Sequence, residues 1–190
     1  MSSIMMTKDE IQFFKSYLDD SKLVLEYGSG GSTLEYSKLV KKYISIENEK
    51  RWYDSINKST SDNTFMYLES PKESSDEDLE KNAESLLSKR YNQGSLSGKA
   101  PSWNATSSSF SHMDRRDGYE WHTLINYVNK FDIVLVDGVA REFCTYRAKD
   151  LIKDDGLIFF HDFKRTQYHG VLNFYEIVEQ VDTLALLRLK

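Results

Sequence analysis

The sequence predicts an α/β domain in which a mostly parallel central sheet carries helices on both faces. Short apolar runs alternate along the chain with segments whose apolar residues recur at helical spacing, as in strands that are buried on both sides. The chain has 190 residues, which is enough for one domain of this kind. We therefore predict a single domain over residues 1–190.

The first third of the chain predicts three strands and the helices between them. Residues 7–17 predict a helix, because Ile11, Phe14 and Leu18 share one face and Thr7 with Glu10 matches a capping box. The elements predicted next are a strand from residue 23 to the glycines that follow, a helix at 34–42, a strand at 43–46, a helix at 50–56 and a strand at 65–68.

A polar segment at about 69–118 interrupts this alternation. It contains both prolines of the chain, Pro71 and Pro101, and a tract rich in serine at 106–109. Within it, only residues 76–89 show helical spacing. A loop of this length in a compact domain is usually a functional lid or a disordered segment. Both interpretations of this insert stay open.

The regular pattern returns after the insert. The predicted elements are a helix at 119–128, a strand at 133–136, a helix at 141–152, a turn at 154–156, a strand at 157–160, a helix at 168–181 and a strand at 184–189. In such sheets, ligands bind beyond the carboxyl ends of the strands, where the strand order reverses. The residues directly after each strand are therefore the candidates for a site.

A glycine-rich segment follows the first predicted strand. Gly28 and Gly30 match a dinucleotide fingerprint, but Thr33 occupies the position of its third glycine. S-adenosylmethionine (SAM) carries an ammonium and a carboxylate, which an acidic residue and exposed backbone amides complement. This favours SAM over NAD. The residues predicted to bind it here are Glu26, Tyr27, Gly28, Ser29, Gly30, Ser32 and Thr33.

A second acidic residue ends the second strand. Glu47 stands nineteen residues after Gly28, where a carboxylate can accept the hydroxyl hydrogens of a ribose. NAD and SAM both contain this ribose, so Glu47 indicates a nucleoside cofactor without choosing between them. Asn48, which follows it, belongs to the same predicted site.

These motifs carry a resemblance to a known family. The segment at 26–33, together with Ile46-Glu47 and the segment 132–138, resembles the class I SAM-dependent methyltransferases. The resemblance covers most of the chain outside the insert and implies their Rossmann-like fold. It also implies that Glu26 and the glycines contact the methionine part of SAM, that Glu47 contacts the ribose, and that Asp137 lies near the transferring methyl.

Two aspartates follow strands in the second half of the chain. We expect Asp137 and Asp162 to reach the same cleft, and the predicted catalytic residues are Asp137, His161 and Arg141. Methyl transfer to a hydroxyl needs alignment and removal of a proton. His161 or Asp137 can serve as the base. Alternatively, Asp137 and Asp162 share Mg²⁺ or Mn²⁺, a placement similar to the metal-dependent catechol-type O-methyltransferases. Those enzymes have Asn where this chain has Phe163.

The segments 136–138 and 156–165 look similar to plant methyltransferases of glucuronoxylan and to sugar-modifying methyltransferases of large algal viruses. This likeness implies a sugar or glycan hydroxyl as the acceptor. Two alternatives remain: a metal-dependent O-methyltransferase of small phenolic compounds, and a non-catalytic SAM-binding domain.

The composition limits the kinds of partner that we expect for this protein. The net charge of −5 argues against a protein that grips nucleic-acid backbone. The single cysteine, Cys144, excludes an internal disulfide and a cysteine-rich zinc site. No signal peptide and no membrane-spanning run is visible. We therefore expect a cytoplasmic enzyme that acts on a small molecule or a glycan, without nucleic acid or membrane.

Overall fold

A computed structural model describes residues 3–68, 127, 129–139 and 141–190. Its helices are α1 (Lys8–Lys15), α2 (Gly31–Tyr36), α3 (Lys50–Asn57) and α4 (Arg141–Leu151). Its strands are β1 (Leu23–Tyr27), β2 (Lys42–Glu47), β3 (Thr64–Leu68), β4 (Phe131–Val136), β5 (Ile152–Phe160), β6 (Tyr175–Val181) and β7 (Leu184–Leu189). Two 3₁₀ segments span Ser37–Leu39 and Thr166–Asn173. The predicted helices at 76–89 and, except for Tyr127, 119–128 lie outside the described residues.

The strands form one sheet in the order β3-β2-β1-β4-β5-β7-β6. The first five of these strands pair in parallel, and β7 runs antiparallel to both β5 and β6. The strand order reverses between β1 and β4, so the loops that follow these two strands open a crevice at the carboxyl edge of the sheet. The predicted α/β fold with a mostly parallel sheet is confirmed.

Apolar side chains cover both faces of the sheet. Alternate residues of a strand point to opposite faces, so Val24 of β1 belongs to one cluster and Leu25 to the other. On the first face, α1 packs Phe14 edge-on against Phe159 of β5, with ring centroids 4.7 Å apart. On the second face, α4 contributes Ala148 to the cluster. The parallel strands are therefore held in one rigid frame from both sides.

The predicted helix at 168–181 is wrong. The chain there forms the 3₁₀ segment Thr166–Asn173 and then β6, which pairs with β7 as an antiparallel hairpin. The turn is made at Asp182, which adopts a left-handed φ of 48°. Ile177 and Val178 are β-branched residues that suit a strand, and pairing with β7 overrides the helical spacing of the segment.

Two further elements differ from their predicted bounds by more than two residues. The helix expected at 34–42 begins earlier, at Gly31, and ends at Tyr36. The hydroxyl of Thr33 accepts the backbone N–H of Gly30 at 2.9 Å, which starts the helix directly at the glycine loop. Strand β5 runs through the turn expected at 154–156, with an irregularity in its register with β4. Within the described ranges, no helix is both long and apolar enough to cross a membrane.

Candidate functional site

A pocket of about 390 Å³ opens at the carboxyl edge of the sheet, at the crevice between β1 and β4. Four parts of the chain line it: the N-terminal segment (Ser3, Met5), the loop after β1 (Gly28, Ser29, Gly30, Gly31, Ser32), the end of β2 with α3 (Glu47, Asn48, Glu49, Trp52), and the loop after β4 (Asp137, Gly138, Val139, Arg141). Its volume falls in the range of roughly 300–1,000 Å³ that is usual for small-molecule sites.

Two glycines form the base of this crevice. Gly28 has a left-handed φ of 94°, and a Cβ placed on it would lie 2.4 Å from the Cα of Gly138. The backbone N–H of Gly28 also donates to the carbonyl of Ile46 at 2.9 Å. The loops after β1 and β4 therefore pack backbone against backbone, which only glycine permits. This contact leaves the pocket open to a ligand that lies close to the main chain.

Glu26 lies behind the loop rather than in the pocket. Its carboxyl group is fully buried and accepts hydrogen bonds from Thr33 at 2.5 Å, from Ser45 at 2.8 Å and from Ser32. Burial outweighs these three donors and raises its pKa to about 7. Glu26 is not among the residues that line the pocket, and the contact with the methionine part of SAM that the resemblance implies stays a prediction. Glu26 ties the start of α2 to β2.

Tyr27 and Thr33 share this position behind the loop. Both are buried, and neither lines the pocket. Of the residues predicted for the glycine segment, the structure places the remaining four at the pocket: Gly28, Ser29, Gly30 and Ser32.

Glu47 reaches the pocket from the end of β2, as does Asn48. Its carboxylate accepts the backbone N–H groups of Ser29 at 3.0 Å, Asn48 at 2.7 Å and Glu49 at 2.8 Å. These bonds fix the carboxylate in one orientation. A carboxylate offers about four acceptor positions, so Glu47 retains capacity for a ligand hydroxyl.

Trp52 is a pocket residue that the sequence did not reveal. It lies in the first turn of α3, and its indole Nε1 donates to the carbonyl of Ser29. The side chain bridges the two loops, yet the residue remains 41% exposed. The available sequence signal was an aromatic residue soon after Glu47 and Asn48, which were predicted to bind the cofactor. No sequence pattern indicated Ser3 and Met5, because only the folded arrangement of the sheet and α1 brings the N-terminal segment to the pocket.

Asp137 and His161, two of the predicted catalytic residues, contact each other at the ends of β4 and β5. The Asp137 Oδ1 and His161 Nδ1 atoms are 2.7 Å apart. Asp137 lines the pocket, whereas His161 lies behind it, only 8% exposed. On its other side, His161 Nε2 lies 3.7 Å from the carboxylate of Glu10.

The environment of His161 shifts its pKa. Burial lowers the pKa of His161, but its hydrogen bond to Asp137 and the charges of Asp137, Asp162 and Glu10 outweigh burial and raise it. The two side chains therefore form a coupled pair, of which only Asp137 lines the pocket.

Arg141 clamps the ends of β4 and β5 together. Its guanidinium donates to the carbonyls of Gly138 at 2.8 Å, His161 at 2.5 Å and Asp137 at 3.0 Å. It also pairs with the carboxylate of Asp162 at 3.0 Å. A guanidinium has five N–H donors, and these contacts engage most of them. Arg141 thus holds the ends of the two strands together beside the pocket, and its catalytic role stays a prediction.

The predicted metal pair is occupied by arginine. The structure brings Asp137 and Asp162 to the same edge, but Arg141 pairs with both carboxylates, at 3.4 and 3.0 Å. Arg165 pairs with the same oxygen of Asp162, Oδ2, at 2.9 Å. Among the described residues, no group of three or more histidine, cysteine, aspartate or glutamate side chains is arranged to hold a metal ion. The donor set does not fit Mg²⁺ or Mn²⁺.

Comparison with known proteins adds evidence on the fold. No protein-family model and no curated protein matches the sequence. A methyltransferase-like protein from Silicibacter pomeroyi DSS-3 superposes with a TM-score of 0.68 at 19% identity, over 100% of this chain and 89% of that chain. The tRNA (m1A58) methyltransferase TrmI from Aquifex aeolicus gives 0.54 at 12%, over 96% and 68%. An rRNA methylase from Streptococcus thermophilus gives 0.51 at 13%, over 97% and 98%.

Sequence identities this low show a shared fold and nothing further. The chain has the Rossmann-like fold of the SAM-dependent methyltransferases. Its crevice lies at the switch point of strand order, where folds of this class bind their ligands.

Proposed function

We propose that the chain is a SAM-dependent methyltransferase. One observation carries the proposal: a single pocket combines the glycine loop, the fixed carboxylate of Glu47 and the reactive carboxylate of Asp137. The fold neighbours named as methyltransferases agree with it. A non-catalytic SAM-binding domain would need the first two features and not the third.

The residues present suit the cofactor. Gly28 and Gly138 leave no side chain at the base of the crevice, and Glu47 offers an acceptor for a ribose hydroxyl. SAM supplies an electrophilic methyl group on a sulfonium. The protein has to hold this cofactor, exclude water and align the acceptor atom.

Asp137 has the position of a general base. Its side chain is 20% exposed at the pocket, bonds to His161 and pairs with Arg141 at 3.4 Å. The Asp137 carboxylate would take the proton of an acceptor hydroxyl that is held in the pocket. Asp137 is thus the residue that we propose as catalytic.

We propose a sugar or glycan hydroxyl as the acceptor. The support is the likeness of segments 136–138 and 156–165 to sugar-modifying methyltransferases, together with a base suited to hydroxyl chemistry. Two of the fold neighbours are named for rRNA and tRNA, so RNA is the competing acceptor class. The net charge of −5 weighs against it, because phosphate neutralisation supplies much of RNA affinity.

Calorimetry tests the cofactor. We expect micromolar binding of S-adenosylhomocysteine (SAH) and no measurable binding of NAD. Binding of NAD without SAH would overturn the proposal.

Release of SAH from SAM tests the reaction. The acceptor panel comprises glucuronic-acid oligosaccharides, simple glycosides, catechol and a structured RNA. Turnover with catechol or RNA alone would replace the sugar, and SAH binding without turnover on any acceptor would indicate a non-catalytic domain.

Asp137→Asn tests the base. We expect turnover to fall by roughly 10²–10⁴-fold, the scale of general-base catalysis, with unchanged SAH affinity. Asp155→Asn, an exposed aspartate in β5, is the matched control and should behave as wild type. Full turnover by Asp137→Asn would show that another group takes the proton.

A further inference from the structure

Glu10 is a buried carboxylate that the proposed chemistry does not use. It lies in α1 and is only 1% exposed. It accepts the backbone N–H of Thr7 at 2.8 Å, and both the backbone N–H and the hydroxyl of Thr183 at 2.7 Å. The Thr7 contact completes the capping box of α1, whereas the Thr183 contacts reach the turn between β6 and β7. One carboxylate therefore joins the two ends of the described chain.

The same carboxylate faces the contact between Asp137 and His161. Glu10 Oε2 lies 3.7 Å from His161 Nε2, and His161 Nδ1 lies 2.7 Å from Asp137 Oδ1. Arg141 and Asp162 continue the series, so basic side chains alternate with carboxyl groups from Glu10 to Asp162. A buried charge persists only when partners compensate it. The orientation of His161 is therefore set from both sides by carboxylates.

Glu10 also controls a wall of the pocket. Ser3 and Met5 line the pocket and lead directly into Thr7, the N-cap of α1. The hydroxyl of Thr7 donates to Asp182 at 2.7 Å, beside the turn that Glu10 binds. Met5 is 81% exposed, whereas Ile4 and Met6 on either side of it pack against the core. The backbone at Met5 is thus fixed by these neighbours and by the start of α1 at Thr7.

We propose that Glu10 is a positioning residue for the whole site: through Thr7 and Thr183 it holds Ser3 and Met5 at the pocket, and through His161 it orients the carboxylate of Asp137. The proposal rests on the proposed function, since Glu10 would position both the wall of the cofactor pocket and the proposed general base. We call the contacts through Thr7 and Thr183 to Ser3 and Met5 the wall arm, and the contact through His161 to Asp137 the carboxylate arm. Each arm is tested by its own variant, and a variant of Glu10 tests both together.

The wall arm is tested with Met5→Ala. We expect SAH affinity to fall about two- to fivefold from the lost apolar contact. Leu39→Ala, another exposed apolar residue that does not line the pocket, is the control and should bind SAH as wild type does.

The carboxylate arm is tested with His161→Ala. We expect kcat to fall roughly 10- to 100-fold, as when a reacting group is misplaced, with SAH affinity unchanged. His161→Asn should restore part of kcat, because its amide can still donate to Asp137. A residue that only supported the fold would not show this rescue.

Glu10→Gln tests the common origin. It keeps the shape and removes the charge, so we expect both effects together: about fivefold weaker SAH binding, the scale of one weakened contact, and a reduced kcat. Glu176→Gln, an exposed carboxylate paired with Arg188, is the matched control. Thr183→Val is a milder variant if Glu10→Gln fails to fold, and it should shift both quantities in the same direction.

The outcomes separate the two proposals. Wild-type SAH affinity and kcat in both Glu10→Gln and Thr183→Val would overturn the role of Glu10 and leave the methyltransferase proposal intact. Absence of SAH binding by wild type would overturn the proposed function instead. In that case hydrogen exchange still tests the anchor: amides of residues 3–7 should exchange faster in Glu10→Gln than in Glu176→Gln, and equal rates would refute it.

Discussion

Replacing Glu26 with glutamine should remove a loss of stability that the protein undergoes as the pH rises towards and past neutrality. Burial raises the pKa of Glu26 to about 7, from an ordinary value of 4.5. Between these values the folded protein keeps the proton and the unfolded chain does not. Raising the pH therefore favours unfolding. The stability linked to this proton is complete below pH 4.5 and is lost as the pH rises through about 7.

The size of the effect follows from the two pKa values. Each pKa unit corresponds to about 1.4 kcal/mol, so ionisation of Glu26 should lower the free energy of unfolding by about 3 kcal/mol in total. Most of this change, about 2–3 kcal/mol, falls between about pH 5 and about pH 8. Glutamine carries no titrating proton and can still bond to Thr33 and Ser45, whose hydroxyls rotate to suit.

Urea unfolding at about pH 5 and about pH 8 measures the change in the free energy of unfolding for wild type and Glu26→Gln. Other titrating groups, including His161, are common to both proteins, so their contributions cancel in the difference. Glu35→Gln, an exposed carboxylate beside Lys38, controls for loss of a surface charge. If wild type and Glu26→Gln lose stability equally between the two pH values, the buried proton at Glu26 is refuted.

Three further changes test other parts of the site. Gly28→Ala should destabilise the fold by about 1–3 kcal/mol and weaken SAH binding, because its Cβ would lie 2.4 Å from Gly138; unfolding and calorimetry measure both. Trp52→Phe keeps a ring but loses the donor to Ser29, so SAH affinity should fall about two- to tenfold, and an unchanged affinity would remove Trp52 from the site. Turnover should be the same with and without EDTA, because arginine occupies the predicted metal pair; restoration by Mg²⁺ after EDTA would contradict this.

The parts of the fold that local pattern controls were predictable. The parallel strands are apolar runs, and their carboxyl ends meet at one edge by the geometry of such sheets. This is why Glu47 and Asp137 were expected near the glycine loop before any coordinates were known. The capping box of Thr7 and Glu10 also lies within one turn of sequence.

The parts of the structure that depend on long-range contacts could not be predicted from the sequence. Strand β6 has helical spacing and becomes a strand only because β7 pairs with it. The burial of Glu26 depends on Ser45 from the neighbouring strand. The sequence shows that an acidic residue is present but not which way its side chain points. The competition between Arg141 and a cation for Asp162 likewise depends on a helix and a strand end meeting in space.

The bond between Glu10 and Thr183 has a consequence for how the protein is made. The two residues are 173 positions apart, so Glu10 leaves the ribosome long before its partner exists. Until the β6–β7 turn is synthesised, the carboxylate of Glu10 has to stay hydrated, and α1 lacks the anchor that orders the segment before it. Contacts of such long sequence separation form late. Nascent chains arrested before residue 183 should therefore contain the glycine loop in an incomplete pocket, and the ability to bind a ligand should appear only with the last hairpin.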